Sequence, residues 1–286
     1  MATKPIPLVK LDANFQFMKR TMALSASKIE CFYQCQNKFR EEYIFKSVPF
    51  VESPEIIRGK DEHEQFEIIL KTAGAGILDL ANIGRLTLNS YALDMVEKIF
   101  SSPGTVQAES KFGIYEGMQA CDPTKQNWDK QPNGMPYLLT GSKDVCVRNG
   151  IYSTILDWKS GKVYQQPQAN RFNANKVGVE KAIAEKRLQL DIYALAEFIE
   201  NPECQYIKGM YVFYNHDKTI EYIYQRSKDE ARIREYLQKA IDSIWFHMTN
   251  WSNQVGGIVT NPTRLCGWCG AAPHCTAYQN TGAPHG

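Results

Sequence analysis

GSKDVCVRNGIYSTILDWKSGK, residues 141–162, decides how the rest of the chain is read. Asn149-Gly150 tolerates the positive φ of a type I′ turn. Val145, Val147, Ile151, Tyr152, Ile155 and Leu156 around it favour strands, so the stretch predicts a β-hairpin. With Asn149 and Gly150 as the loop, Arg148 pairs with Ile151, Cys146 with Ser153 and Asp144 with Ile155. Side chains alternate with period two, which puts Asp157 and Lys159 on the face of Asp144, with Lys143 and Trp158 opposite. Asp144 and Asp157 are then diagonal neighbours about 7–8 Å apart, a span that two carboxylates bridge by sharing a divalent cation. A lone D-x-K is more often a solvated strand end, so the rest of the chain has to supply the context.

The chain has 286 residues, 43% hydrophobic and 22% charged, enough for one large globular domain, and its formal net charge is +2. So balanced a charge requires any nucleic-acid site to be a local groove on a mixed surface. No window approaches the length of an apolar membrane span, and MATKPIPLVKLDANFQFMKR lacks a signal-peptide core. The expectation is a cytoplasmic protein with no membrane contact, in which eight cysteines serve as thiols or metal ligands rather than disulfides.

Residues 1–24, with Pro5 and Pro7, read as an extended lead-in. Ser27 and Glu30 have capping-box spacing and open a helix expected to run unbroken to Phe45. Ile29, Phe32, Gln36, Phe39 and Tyr43 form its stripe, and Cys31 and Cys35 sit a turn apart on it. A helix over 55–71 carries Gly59 and His63 one turn apart, and another covers 90–100. Residues 105–115 read as a strand bearing Glu109, and 116–136 as an inserted polar loop. After the hairpin come a long loop (163–178) and a helix over 179–200 with an apolar stripe of Leu188, Ile192, Leu195 and Ile199. Gln189 and Tyr193 stand one turn apart beside that stripe; alone they would be a solvated amide and a core-edge phenol. Strands at 209–214 and 220–225 and a helix at 228–250 follow, then a cysteine segment (253–275) and a tail (276–286).

In RLCGWCGAAPHCTAY, Cys266, Cys269 and Cys275 have C-x2-C-x5-C spacing, which suits three thiolates on one metal centre. The fourth ligand must come from elsewhere: Cys35 foremost, with Cys31 or His274 in reserve. Spacing leaves structural zinc and an iron-sulfur cluster both open. With Cys35 as ligand, the centre joins points about 230 residues apart, a cross-link worth on the order of 5 kcal/mol in the chain-entropy model.

The ordered set of the Ser27-to-Cys35 helix, Gly59-x3-His63, Asp144, Asp157-x-Lys159, Gln189-x3-Tyr193 and the terminal cysteines resembles the RecB-like branch of the P-D-(D/E)-x-K nucleases. Within it the chain is similar to the iron-sulfur members, which include the AddB nuclease domain and the CRISPR-associated adaptation nucleases. The resemblance implies one α/β (α+β) domain over 25–275. Its form would be a restriction-endonuclease-like mixed β-sheet flanked by helices, closed by the C-terminal Cys cluster joined to the N-terminal helix. It implies Mg²⁺ or Mn²⁺ held by Asp144, Asp157 and His63, with Lys159 as the catalytic lysine and Gln189 and Tyr193 lining the site beside DNA. It also implies a structural 4Fe-4S cluster on Cys35, Cys266, Cys269 and Cys275, with structural Zn²⁺ as the alternative. Glu109 falls where some members carry an additional acid.

Two positions depart from the family pattern. Gln36 follows Cys35 where proline is usual, and Lys143 precedes the first acid where an apolar residue is usual. On the hairpin register Lys143 would face solvent or a DNA backbone. The activity implied is a metal-dependent DNA exonuclease acting on single strands or opened ends, in recombination, repair or phage and mobile-element DNA processing. For a phage-encoded chain the setting would be the host cytoplasm. No Walker A motif occurs, so unwinding would fall to a helicase or recombination partner. The rival reading is a non-catalytic module of the same fold that positions DNA ends.

Overall fold

The computed structural model describes residues 22–48, 54–74, 89–115, 138–161, 163, 176–252, 266, 269–275 and 278. In chain order the elements are α1 (Ala26–Gln34), α2 (Gln36–Phe39), α3 (Pro54–Gly74), α4 (Ser90–Ser101), β1 (Thr105–Ile114), β2 (Leu139–Asn149) and β3 (Tyr152–Trp158). There follow α5 (Gly178–Ala184), α6 (Leu188–Glu200), β4 (Tyr206–Phe213), β5 (Lys218–Gln225) and α7 (Arg226–Ser252). The chain forms two compact units, one of Val51–Lys125 with Leu139–Leu237, the other of Met1–Phe50, Gln126–Leu138 and Gln238–Gly286. The inserted loop at 116–136, nearly all of the loop at 163–178, most of the lead-in and residues 253–265 lie outside the described residues.

The first unit is built on a five-stranded sheet in the order β1-β2-β3-β4-β5, antiparallel except where β3 and β4 run parallel. One face carries Val145, Val147, Leu156, Trp158, Met210 and Val212, packed on Phe66, Ile69 and Leu70 of α3 and Ala92, Val96 and Ile99 of α4. Each such side chain removed from water is worth roughly 1.5–3 kcal/mol. The parallel β3–β4 pair needs a crossover, and α5 and α6 supply it. Against β1, β3 and β4, α6 is buried at Leu188 and from Leu190 through Phe198, as its nearly all-round apolar sequence requires. This is the mixed sheet with flanking helices expected of a restriction-endonuclease-like α/β fold.

The hairpin differs from expectation by one turn position. Asn149 pairs with Tyr152, Cys146 with Ile155 and Val145 with Leu156, so Gly150-Ile151 is the loop. Gly150 alone of the two has positive φ, +55°, the requirement of a II′ turn rather than I′. Each partner moves by two residues, which keeps the alternation from Val145 to Asn149 against Tyr152 to Leu156 and ends the paired ladder at Val145–Leu156.

Two expected helices are broken. The helix over 179–200 stops at Ala184 and restarts at Leu188, with Lys186 between them at φ +54°. Arg187 braces the break by pairing with Glu185 and Asp191, both at 3.3 Å. In the second unit α1 is capped by Ser25, whose Oγ accepts from the Lys28 N–H, not by Ser27. Cys35 leaves α1 in extended backbone (φ −162°, ψ 112°), and the chain goes on through α2 and a π turn, Arg40–Ile44. The α-helical spacing that set Cys35 beside Cys31 therefore ends at Cys35. Around α1, Phe32 meets the rings of Phe39, His247 and Trp251. Among the described residues no helix is long and apolar enough to cross a membrane.

Candidate active site

The site begins at a fault in the β1–β2 ladder. Ala108 pairs with Val145 and Ser110 with Lys143, but the pair between them, Glu109 with Asp144, is missing, and Glu109 has φ +49°. Left-handed backbone at a non-glycine residue costs on the order of 1–3 kcal/mol and tends to mark functional sites. Strand alternation breaks at the same point. Val145 and Val147 face α3 and α4, whereas Cys146 and Arg148 reach Glu197 on α6. Simple alternation groups Lys143 with Val145; instead its ammonium also lies on Glu197, at 2.9 Å.

Lys143 is consequently not the solvent- or DNA-facing residue expected of it: it is 0% exposed. Its ammonium sits between Glu197 and Glu200 (2.8 Å), and Arg148 forks onto Glu197 through Nε (2.7 Å) and Nη2 (2.8 Å). Ser153 Oγ donates to the same carboxylate at 2.9 Å. Burial alone would raise the Glu197 pKa, but the Arg148 fork and the Lys143 charge override it and hold the acid down to about 2. Sequence reading passed over this network. One signal was Glu197, an acid within a mostly apolar helix.

Beyond the fault, Asp144 turns its Oδ2 to accept the Trp158 N–H at 2.8 Å, in place of a further ladder bond. His63, from α3, places Nδ1 3.5 Å from the same oxygen. Its Nε2 lies 3.0 Å from the Trp158 carbonyl, which only accepts, so Nε2 carries a hydrogen and in the neutral ring Nδ1 is the nitrogen with the lone pair. The Trp158 indole stacks on Phe66, centroids 4.0 Å apart, one helical turn beyond His63. Glu109, steadied by a 2.9 Å bond from Ser142 Oγ, completes a set in which ligand atoms of His63, Glu109 and Asp144 all lie within 4.8 Å of one another. They line an open cleft of about 570 Å³ together with Gly59, Lys60, Glu64 and Glu67.

Asp157, 2% exposed, heads a second set. Its Oδ1 accepts from Gln189 Nε2 at 2.8 Å, and the same amide nitrogen donates to Tyr193 Oη at 2.7 Å. Lys159 Nζ lies 2.5 Å from Asp157 Oδ2 and donates to Gln189 Oε1 at 3.0 Å. The ammonium contact is an ion pair rather than an aligned hydrogen bond, so the buried Oδ2 keeps an unused acceptor. Lys159 is anchored to β4, with its N–H on the Val212 carbonyl (2.9 Å) and its ammonium 5.2 Å from the Tyr211 ring centroid. Gly141 on β2 leaves room for the Phe112 ring, which meets Tyr193 edge-on; a Cβ there would stand 2.6 Å from Phe112.

The two sets adjoin. Burial raises the Asp144 pKa, as do the charges of Asp157 and Glu109, against the Trp158 N–H and Lys159. Burial and then the charges of Asp157 and Asp144 push Tyr193 well above its usual value and keep it a neutral phenol. One imidazole lone pair, converging carboxylates and an unused buried carboxylate oxygen are the donor set of a hard divalent cation such as Mg²⁺ or Mn²⁺.

Cys31, Cys35, Cys266, Cys269 and Cys275 belong to the other unit. Cys269 N–H bonds the Cys266 carbonyl (3.1 Å), and Cys275 N–H the Ala272 carbonyl (3.0 Å). The Cys269 thiol is pushed up by burial and feels the charges of Lys38, Glu42 and Cys35, so Cys35 and Cys269 are near each other. Cys31 is buried, points its thiol at Glu42 (3.8 Å) and is pushed up to about 12 by burial and that carboxylate. The side chain of His274 lies outside the described residues. Among the described residues the cysteine sulfurs do not form a group of three as close-set as His63, Glu109 and Asp144.

Comparison with known proteins gives one decisive match. The model of the PD-(D/E)XK nuclease superfamily matches residues 23–276. No curated protein matches the chain. A solved structure of SSO0001 aligns at 16% identity and a TM-score of 0.42, covering 94% of this chain and 93% of that one. A protein from Eubacterium rectale, provisionally named an exonuclease, aligns at 10% identity and a TM-score of 0.37, covering 99% and 95%. With TM-scores this low, neither likeness bears on the chemistry.

Proposed function

The chain belongs to the PD-(D/E)XK nuclease superfamily, and we propose that it is a divalent-metal-dependent deoxyribonuclease, an exonuclease acting on single-stranded DNA or DNA ends. Its setting is recombination, repair or the DNA processing of a phage or mobile element, with unwinding left to a partner. The observation that carries this reading is the convergence of ligand atoms of His63, Glu109 and Asp144 within 4.8 Å, beside the ion pair of buried Asp157 with Lys159.

His63, Asp144, Asp157 and Glu109 would hold Mg²⁺ or Mn²⁺. A bound cation supplies a water of lowered pKa and neutralises phosphate oxygens. The protein's own part is preorganisation. Trp158 fixes Asp144 through its N–H and His63 through its carbonyl, so both groups keep one orientation without reorganising. Lys159, held from three sides by Asp157, Gln189 and the Tyr211 ring, offers a fixed positive charge to orient a water or to meet charge developing on the phosphate. Gln189 joins Asp157, Lys159 and Tyr193 and sets their spacing.

The same proposal places a structural 4Fe-4S cluster on Cys35, Cys266, Cys269 and Cys275. It is supported by the C-x2-C-x5-C spacing and by Cys35, which leaves its helix near Cys269. Anaerobic purification should give a brown protein carrying iron; a colourless, zinc-loaded one replaces the cluster with Zn²⁺.

The test of function is incubation of end-labelled single- and double-stranded DNA with Mn²⁺ or Mg²⁺, wild type beside Asp157→Ala and Lys159→Ala. Metal-dependent shortening from ends that both variants lose supports the proposal. Cleavage persisting at full rate in both sinks it, and DNA binding without cleavage under either metal makes the chain an end-binding module.

A further inference from the structure

The first half of α3 is mostly solvent-facing: Ile57, Arg58, Lys60, Asp61 and Glu64 are exposed, while Gly59, Glu62 and His63 turn inward. The apolar anchors Phe66, Ile69 and Leu70 come only in the second half. His63 therefore sits where the helix passes from anchored to exposed, and its place depends on what grips the inward face before it. Part of that grip comes from the 3₁₀ turn Tyr214–His216, which follows β4.

Tyr214 Oη donates to Glu62 Oε2, the residue next to His63. The Tyr214 ring meets Phe66 edge-on at 5.1 Å, and Phe66 stacks on Trp158, whose carbonyl holds His63 Nε2. The turn also reaches the lysine side of the site, since Asn215 Nδ2 donates to the Ser160 carbonyl at 3.4 Å. Asn89 fixes the turn itself: its Nδ2 donates to the Tyr214 carbonyl while its Oδ1 caps α4 on the Ala92 N–H at 2.9 Å. A phenol in this spot costs burial of a hydroxyl that phenylalanine would avoid, so its bond to Glu62 needs a reason beyond packing.

We propose that Tyr214 is a positioning residue of the nuclease site: by holding Glu62 it sets the first half of α3 so that His63 Nδ1 meets Glu109 and Asp144 at metal-binding distance. The inference rests on the metal site proposed above and adds a residue that touches neither metal nor substrate. Removing the hydroxyl leaves the core intact and lets α3 swing, which weakens metal binding without altering the reacting groups. Glutamine at position 62 still offers an acceptor to the phenol, whereas alanine does not.

The experiment is Mn²⁺ titration of the full-length protein by calorimetry, with melting temperatures recorded without metal. Wild type and His63→Ala are compared first; if His63→Ala binds Mn²⁺ as tightly as wild type, the metal site and this proposal fall together. With that control passed, Tyr214→Phe and Glu62→Ala should each weaken Mn²⁺ binding by about three- to tenfold, somewhat less than loss of a direct outer-shell partner. Glu62→Gln should recover most of the affinity. In the cleavage assay the Mn²⁺ concentration for half-maximal rate should rise in the same order, while the rate at saturating Mn²⁺ stays near wild type. Wild-type Mn²⁺ affinity in Tyr214→Phe and Glu62→Ala overturns the proposal, as does a loss that Glu62→Gln shares in full. Because Glu62 is on the half-buried face of an exposed helix segment, its variants remain informative even if Tyr214→Phe folds poorly.

Discussion

His63 donates its Nε2 hydrogen to the carbonyl of Trp158, 3.0 Å away, so a main-chain atom of the strand that carries Asp157 decides which nitrogen of the α3 imidazole is free. Neutral imidazole with a lone pair at Nδ1 is the ligand form, prepared without an ionisable partner at Nε2. His63→Ala should lower Mn²⁺ affinity by at least about tenfold, the usual lower range even for outer-shell losses. Calorimetric titration measures it, and an unchanged affinity would exclude Nδ1 as a ligand.

Asp144 is prepared at a cost. Burial and the charges of Asp157 and Glu109 raise its pKa, so in the metal-free protein its folded value exceeds the unfolded one. A carboxylate shifted in that direction destabilises the fold in full at pH above its folded pKa, and the penalty shrinks as pH falls below that value and is gone below the unfolded pKa. Asp144→Asn keeps an acceptor for the Trp158 N–H and removes the charge. The metal-free variant should therefore melt higher than wild type at neutral pH, by about 2–4 °C per kcal/mol relieved, with the gap closing on acidification. Scanning calorimetry at several pH values tests this; a gap that does not vary with pH would contradict it.

What the sequence revealed, and what it hid, divides along physical lines. Period-two alternation is local and the hairpin loop is short, so the pairing of β2 with β3 was legible even though the loop lay one residue later than Asn149-Gly150 suggested, whereas the meeting of Asp144 with His63 of α3 and of Asp157 with Gln189 of α6 was not. The ladder fault at Glu109 and Asp144 was not legible, because nothing in TVQAESKFGIY marks Glu109 for positive φ. Lys143 was misplaced for the same reason: its side follows from that fault, and its partners Glu197 and Glu200 lie on a helix more than fifty residues later. The breaks at Cys35 and Lys186 carry no glycine or proline, so helical periodicity ran straight through them.

The Lys143 correction is itself testable. Truncating it leaves buried Glu197 and half-buried Glu200 with Arg148 as their remaining cation, and breaking a buried ion pair from one side costs about 3–5 kcal/mol. Lys143→Ala should lower the melting temperature steeply and leave the salt dependence of DNA binding as in wild type. A weaker salt slope with intact stability would restore Lys143 to the DNA-facing surface.

Glu197 gives the same network a pH signature. Its folded pKa is about 2 against an ordinary 4.5, so its contribution is complete above about 4.5 and is lost as pH falls toward 2. A shift of that size corresponds to roughly 3 kcal/mol. In Glu197→Gln the part of acid destabilisation that falls between those two pH values should be missing, as read from urea midpoints; a wild-type acid profile in the variant would remove the network as its source.

Cys31 and Cys35 are the two candidates for the fourth thiolate of the proposed cluster. Cys31 is buried against Glu42, and burial with that carboxylate pushes its thiol up to about 12. Cys35 leaves the helix near Cys269. Cys35→Ala should lose iron and the visible absorption of the anaerobically purified protein, while Cys31→Ala keeps both; the opposite result would assign the fourth thiolate to Cys31.

Gln189 offers the sharpest test of the lysine side. Its amide donates to Asp157 and Tyr193 and accepts from Lys159, and only an amide does both in that space. Gln189→Glu keeps the shape and the bond from Lys159 but removes both donors and sets a second carboxylate against Asp157. The single ammonium is then shared between two acids, which draws it from the position it holds beside Asp157 Oδ2. The turnover rate at saturating Mn²⁺ should fall by about 10²-fold or more, as when one preorganised electrostatic group is lost. The deficit should widen as pH rises and the new carboxylate ionises. Equal losses at pH 6 and pH 8.5 would show that Gln189 matters for its shape alone and not for the charge balance between Asp157 and Lys159.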